Sequence, residues 1–227
     1  MGIMKRVSVR LYRALAPEAL RSSKMVAELK KKLLGHDWVY DSDYYEKYIE
    51  GPAVRAAGRI VESIMTEFSP KRAIDVGCGT GALLAMLRDR GCEVYGLEYA
   101  DAALKACRAR GLDVAKFDLK TNSLSGNRTY DVAVSMEVAE HLPEASADRY
   151  VDLLARLSPA VVFTAAPPGQ GGTDHVNEQP ASYWTGKFGQ RGFEYAEVMT
   201  RQWRDTWRCS GDVQDHYHRN LLIFRRR

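Results

Sequence analysis

From Pro52 onward, runs of strand length alternate with runs of helix length, and this alternation restricts the chain more than any other feature of its sequence. The strand-like runs are Ala73–Val76, Glu93–Leu97, Val114–Phe117, Asp131–Met136 and Ala160–Thr164, and the helix-like runs between them are Ala82–Arg90, Ala102–Arg110 and Ala145–Leu157. Strands joined by helical crossovers run parallel, and a parallel sheet must be covered on both faces. Val54, Ala57, Ile60, Val61, Ile64, Met65 and Phe68 recur at three-and-four spacing and predict a helix ahead of the first strand, ended by Ser69-Pro70. Gly91 and Gly111 stand where two later helices need a C-terminal cap. After Pro180, Ser182–Arg191 reads as a helix ending at Gly192, with Tyr183, Trp184, Phe188 and Phe193 spaced to pack on the sheet. Two further strand candidates, Phe193–Met199 and Asn220–Phe224, close the chain. The connection between them carries Trp203, Trp207, His216, Tyr217 and His218, which either wall a pocket or fill a hairpin.

The 227 residues are 45% hydrophobic and 27% charged, which suits one globular α/β domain and excludes disordered or low-complexity classes. A net charge of +4 is too mild to mark a nucleic-acid or membrane-surface protein, but its distribution is uneven. Residues 1–34 hold nine basic side chains against Glu18 and Glu28, a net +7, which leaves the remainder at −3. Within them, Leu20, Met25, Val26, Leu29, Leu33 and Leu34 outline an amphipathic helix whose Lys-rich face is read as solvated rather than as an RNA or membrane contact. Trp38, Tyr40, Tyr44, Tyr45 and Tyr48 follow as a packing cluster or a lid. The chain is therefore divided into a basic N-terminal helical cap, residues 1–51, and an α/β domain, residues 52–227. No apolar run reaches the eighteen or so residues of a membrane span, and no signal-peptide core is present, so the expectation is a soluble, cytoplasmic protein. Cys78, Cys92, Cys107 and Cys209 lack zinc-like spacing and are expected as reduced thiols.

The segment Ala73-Ile74-Asp75-Val76-Gly77-Cys78-Gly79-Thr80-Gly81-Ala82 is a strand, a glycine turn and a helix start. Glycines there permit a tight turn and let a ligand approach the backbone at a helix N-terminus. Gly77, Gly79 and Ala82 also satisfy a loose dinucleotide pattern. Asp75 separates the two readings, because a carboxylate at the strand end repels a pyrophosphate and suits an ammonium or sulfonium. Glu98 ends the next strand, where it can accept from two ribose hydroxyls, and Asp118 follows the third, where it can accept from an exocyclic amine. Three acids after successive strands mark the carboxyl edge at which open α/β sheets bind ligands.

The motifs DVGCGTG at 75–81, GLEYA at 96–100, KFDL at 116–119 and YDVAVSMEVAEHLP at 130–143 resemble those of class I S-adenosylmethionine-dependent methyltransferases. The resemblance spans about residues 52–165. It implies a Rossmann-like, doubly wound, mostly parallel seven-stranded sheet with an antiparallel last strand. It also implies that Asp75, Gly77, Cys78, Gly79 and Gly81 surround the methionine part of the cofactor, Glu98 and Tyr99 the ribose side, and Asp118 with Leu119 the adenine. Ser135, Met136 and Glu137 would line the floor near the methyl, and Tyr45, with Tyr44 and Tyr48, would close over the cofactor.

Transfer of a methyl from a sulfonium needs alignment and exclusion of water, and a hydroxyl acceptor must also lose a proton. Two segments carry groups for that step: Glu137-Val138-Ala139-Glu140-His141, and Thr173-Asp174-His175-Val176-Asn177-Glu178 in the long loop 165–180. Loops of that length inside a compact domain are usually functional. Either His141 or His175 serves as general base, with Glu140 beside them, or Glu137, Glu140, His141 and His175 together hold a divalent cation. EVAEH is similar to the E-x-x-E-H of metal-assisted O-methyltransferases, including RNA 3′-end 2′-O-methyltransferases and quinone-precursor enzymes. The expected activity is methylation of a small-molecule hydroxyl, such as a sugar, polyol or secondary metabolite. The alternative is a metal-assisted RNA 2′-O-methyltransferase guided by the basic segment, against which the core's net −3 argues.

Overall fold

A computed structural model describes residues 50–124 and 129–227. The basic segment 1–34, the aromatic cluster with Tyr44, Tyr45 and Tyr48, and the proposed cap all but its last two residues therefore lie outside the described residues.

Helix α1 spans Gly51–Phe68, with Pro52 in its first turn, where a missing N–H costs nothing. Its apolar stripe buries Ala56, Ala57, Ile60, Val61 and Ile64, and it stops at Ser69, which is left-handed at φ 41° and bonds back to Met65. The crossovers then run β1 Arg72–Val76, α2 Ala82–Asp89, β2 Glu93–Glu98, α3 Asp101–Ala109, β3 Val114–Lys116, β4 Val132–Met136, α4 Ala147–Leu157 and β5 Ala160–Thr164. Gly91 and Gly111 do follow α2 and α3 with φ of 90° and 69°, the left-handed geometry that ends a helix.

Seven strands form one sheet in the order β3-β2-β1-β4-β5-β7-β6, where β6 is Phe193–Tyr195 and β7 is Leu222–Arg226. Strands β1 to β5 are parallel, and β7 is antiparallel to both β5 and β6. One face is covered by α4 and by α5 (Ala181–Gly189), with Ile74, Val76, Tyr150, Phe163, Trp184 and Phe188 interlocked. Phe188 stacks on Phe224 at 4.0 Å between ring centres, in keeping with the core role expected for that helix. The other face is covered by α1, α2 and α6 (Glu197–Ser210). No helix among the described residues is long and apolar enough to cross a membrane.

The tail departs from the expected hairpin. The strand predicted over Phe193–Met199 stops at Tyr195, and the connection is two helices, α6 and α7 (Asp215–Asn220). Thr200, Trp203 and Trp207 lie at three-and-four spacing and are buried, so helical period wins over the strand-like run before it. Asn220 ends α7 rather than opening a strand. Both tryptophans are core residues, not pocket walls: Trp203 meets Phe68 edge to face and Trp207 at a tilt, and the Trp207 indole N–H donates to Ser63 Oγ at 2.9 Å.

Trp207 thus pins α6 to α1. Trp207→Ala is expected to cost about 3–5 kcal/mol by leaving a large cavity. Trp207→Phe, which keeps most of the packing and loses the hydrogen bond, should cost less, with urea unfolding of both variants as the measurement.

Candidate active site

The carboxyl ends of β1, β2, β4 and β5 converge because the parallel register sets neighbouring strands side by side, Asp75 opposite Gly96 on one flank and Val134 on the other. In the loop after β1, Gly77, Gly79 and Gly81 have φ of 81°, 53° and 78°. Two of them also lack room for a side chain. A Cβ on Gly77 would fall 2.4 Å from Val138 Cγ2, and one on Gly81 would fall 2.4 Å from Leu112 Cδ1 and 2.9 Å from Cys107 Sγ. The Gly77 and Cys78 amides donate to the Leu97 carbonyl, tying the loop to β2. The Cys78 thiol turns inward to a small cluster with Leu84, Cys107 and Leu112, 4.0 Å from the Cys107 sulfur.

Three acids mark this edge, in different settings. Asp75 is buried, and burial, with the Glu98 charge as the smaller cause, pushes its carboxyl up to about 8. Burial likewise raises Glu98, against the pull of three backbone donors: Ala100 and Tyr99 on one oxygen at 2.8 and 2.7 Å, and Gly79 on the other at 2.9 Å. Glu98 therefore staples the glycine loop to the turn after β2. Asp118 forms a turn of its own, accepting from the Lys120 amide at 2.9 Å while its N–H donates to Asn122 Oδ1. Beside them, Tyr99 lies under the Lys116 and Lys120 ammonium groups, and Leu119 and Met136 pack at the rims of the two cores. Tyr45 is outside the described residues.

The turn after β4 carries the second group. Glu137 sits at φ 53°, an unusual conformation for a residue with a side chain, and such residues concentrate at functional sites. Its N–H donates to Thr164 Oγ1 at 2.9 Å, and its carboxylate accepts from Asn220 Nδ2 at 3.0 and 3.2 Å and from Gln170 Nε2 at 3.2 Å. Glu140 and His141 follow on a short 3₁₀ turn. Glu140 is fully buried, and burial, then the neighbouring Glu137 charge, push it up to about 9. Burial, then His175, push His141 down to about 4.

The loop after β5 brings His175 to the same place. The Val176 and Asn177 amides donate to the Glu140 carbonyl at 2.9 and 3.1 Å, and the His141 and His175 rings meet edge to face, 5.0 Å between centres. One ligand atom each from Glu140, His141 and His175 lies within 4.8 Å of the others. Glu137 is not in this group; its carboxylate neighbours Glu140 and accepts from Asn220 and Gln170. Chemically, a buried carboxyl and two imidazoles can pass a proton or hold a divalent ion.

Three residues of this edge carried no assigned role from sequence. Glu178 bonds His175 Nδ1 at 2.9 Å, and its position three residues after a histidine was the available signal. Gln170 and Asn220 bond each other and Glu137, and nothing in the sequence links Asn220 to a residue 83 positions away.

Known proteins resemble this chain in sequence and in fold. The family model described as "Methyltransferase domain" matches residues 45–165. A ubiquinone biosynthesis O-methyltransferase of Nitrosomonas europaea is 29% identical over 133 residues, 56% of this chain and 55% of that protein. The chain thus spans about half the length of the curated relatives it matches. The crystal structure of a magnesium protoporphyrin IX methyltransferase from Synechocystis with bound S-adenosylhomocysteine superposes with a TM-score of 0.58 at 17% identity, covering 89% of this chain and 99% of that one. A sugar N-methyltransferase from Streptoalloteichus gives the same score at 17% identity over 81% and 91% of the two chains. At these identities the structures share the fold.

The buried groups predict how stability varies with pH. Asp75 and Glu140, raised to about 8 and 9 from 3.8 and 4.5, hold their protons more tightly folded than unfolded. Their contribution is complete below the ordinary values and is lost as pH rises through the folded ones. His141, lowered to about 4 from 6.5, acts oppositely, its contribution being lost as pH falls through that window. Between pH 7 and 8 the carboxyls act and His141 does not, so the urea midpoint of the ligand-free protein should fall, and Glu140→Gln should flatten that fall.

Proposed function

The chain belongs to this methyltransferase-domain family of class I fold, and from that premise we propose that it transfers a methyl group from S-adenosylmethionine to the hydroxyl of a small molecule. The observation that carries the acceptor half is the convergence of Glu140, His141 and His175 next to the glycine loop, which Val138 touches directly. The O-methyltransferase names of the curated relatives support oxygen as the atom methylated.

S-adenosylmethionine, when bound, supplies an electrophilic methyl on a positively charged sulfur. The chain's residues would bind and orient it. The backbone of Gly77, Cys78, Gly79 and Gly81, opening α2, receives the methionine part, with Asp75 toward its ammonium. Glu98 has lone pairs left for the ribose hydroxyls beyond its three backbone donors, and Tyr99 flanks it. Asp118 and Leu119 receive the adenine, and Met136 and Glu137 form the floor. On the acceptor side, His175 takes the hydroxyl proton. His141, held neutral by burial, is the weaker base and serves to pack against His175.

A second reading rests on the same cluster. A buried carboxyl that pairs with no cation among the described residues, beside two imidazoles, suits a borderline divalent ion. Glu140, His141 and His175 would hold it, and the ion would lower the acidity barrier of an acceptor hydroxyl.

Calorimetry with S-adenosylmethionine tests the cofactor assignment. Glu98→Ala should weaken binding roughly 10- to 100-fold, the worth of charge-assisted hydrogen bonds. Binding of a nicotinamide dinucleotide instead would overturn it. Labelled cofactor incubated with a cell extract should leave label on a product oxygen. The same assay after exhaustive chelation separates the two readings, since unchanged transfer eliminates the metal.

A further inference from the structure

Glu178 has a more exact arrangement than a solvent-facing acid of a glycine-rich loop requires. One of its carboxylate oxygens accepts from the Gly171 amide at 2.7 Å and lies 2.9 Å from His175 Nδ1, and the other accepts from the Gly169 amide at 2.8 Å. Gly169 and Gly171 reach those positions with φ of 87° and 68°, so the loop is wound around the carboxylate. The His175 ring is confined on a second side, because a Cβ on Gly172 would fall 2.3 Å from its Nε2. The Val176 and Asn177 amides anchor the next two residues to Glu140 O, and Asp174 just before is held at φ 60°. Nδ1 is thereby held against a carboxylate, and the ring is packed against Gly172.

We infer that Glu178 is a positioning residue that holds His175 as the Nδ1–H tautomer, leaving the lone pair on Nε2. A carboxylate carrying two N–H donors already is an acceptor only, so the proton between it and Nδ1 belongs to the imidazole. The opposite nitrogen then carries the lone pair, which is the form needed to receive a proton or to ligate an ion. This orientation replaces what a free histidine would lose by sampling both tautomers and several ring rotamers. The inference rests on the proposed function in giving that lone pair a task, but the tautomer itself does not depend on it.

Nitrogen-15 NMR of the full chain labelled at histidine, without cofactor or acceptor, reads the tautomer directly. The expected pattern for His175 is a single Nδ1–H form. Glu178→Ala should collapse it to a mixture, while Glu178→Gln, whose amide oxygen can still accept, should retain it. An Nε2–H or mixed pattern in the unmodified protein, or an unchanged pattern in Glu178→Ala, would overturn the assignment. Such a result would leave methyl transfer standing. Conversely, failure to bind S-adenosylmethionine in the calorimetry would leave a single Nδ1–H pattern standing.

Discussion

The contact between Gly77 and Val138 is the one on which the rest of the site depends. With no side chain at Gly77, the loop after β1 closes onto the turn after β4, where even a methyl group would sit 2.4 Å from Val138 Cγ2. This closeness is available because β1 and β4 are adjacent parallel strands, paired from Ala73 opposite Val132 to Asp75 opposite Val134. Two loops that would otherwise be separate surfaces become one. The glycine loop and the Glu137–His141 segment then cannot shift independently, which is the rigidity that a transfer reaction between two bound partners requires.

That closure has an electrostatic consequence. Asp75 and Glu140 are buried and Glu98 is half-buried, and burial raises each of them. Among the described residues none of the three has an ion pair. A site whose carboxyls are held back from ionising is one in which an arriving cation has most to offer, since it restores the charge that burial suppresses. In the proposed function, the ammonium and sulfonium of the methyl donor would meet this need at the glycine-loop end, and the proton transfer would lie at the Glu140 end. His141 is pushed down by burial, whereas Glu178 is pulled down by His175 and two backbone donors against the effect of burial.

Much of this was legible along the chain. The crossovers from 73 to 164 could be read from period and glycine placement, because parallel strands buried on both faces carry continuous apolar runs, and Gly91 and Gly111 punctuate the helices. The end of the chain was harder. Phe193 to Met199 has a strand's composition, yet only Phe193–Tyr195 pair with β7, and the residues after them turn helical to bury Trp203 and Trp207 against α1. Local pattern was overruled there by a partner more than 130 positions away, Ser63 and its neighbours.

By itself, the sequence determined the parallel sheet, the glycine loop and the acids at the strand ends, since each depends on residues within one crossover. Only the tertiary structure decided which side chains meet at the acceptor edge. Glu137, beside Glu140, accepts from Asn220 and Gln170, and His175 is brought to His141 and fixed by Glu178. Those encounters follow from the strand order β1-β4-β5-β7, which sets the ends of distant segments side by side. No local period encodes that order, because it is fixed by how crossovers pack across the sheet and not by the residues at the site.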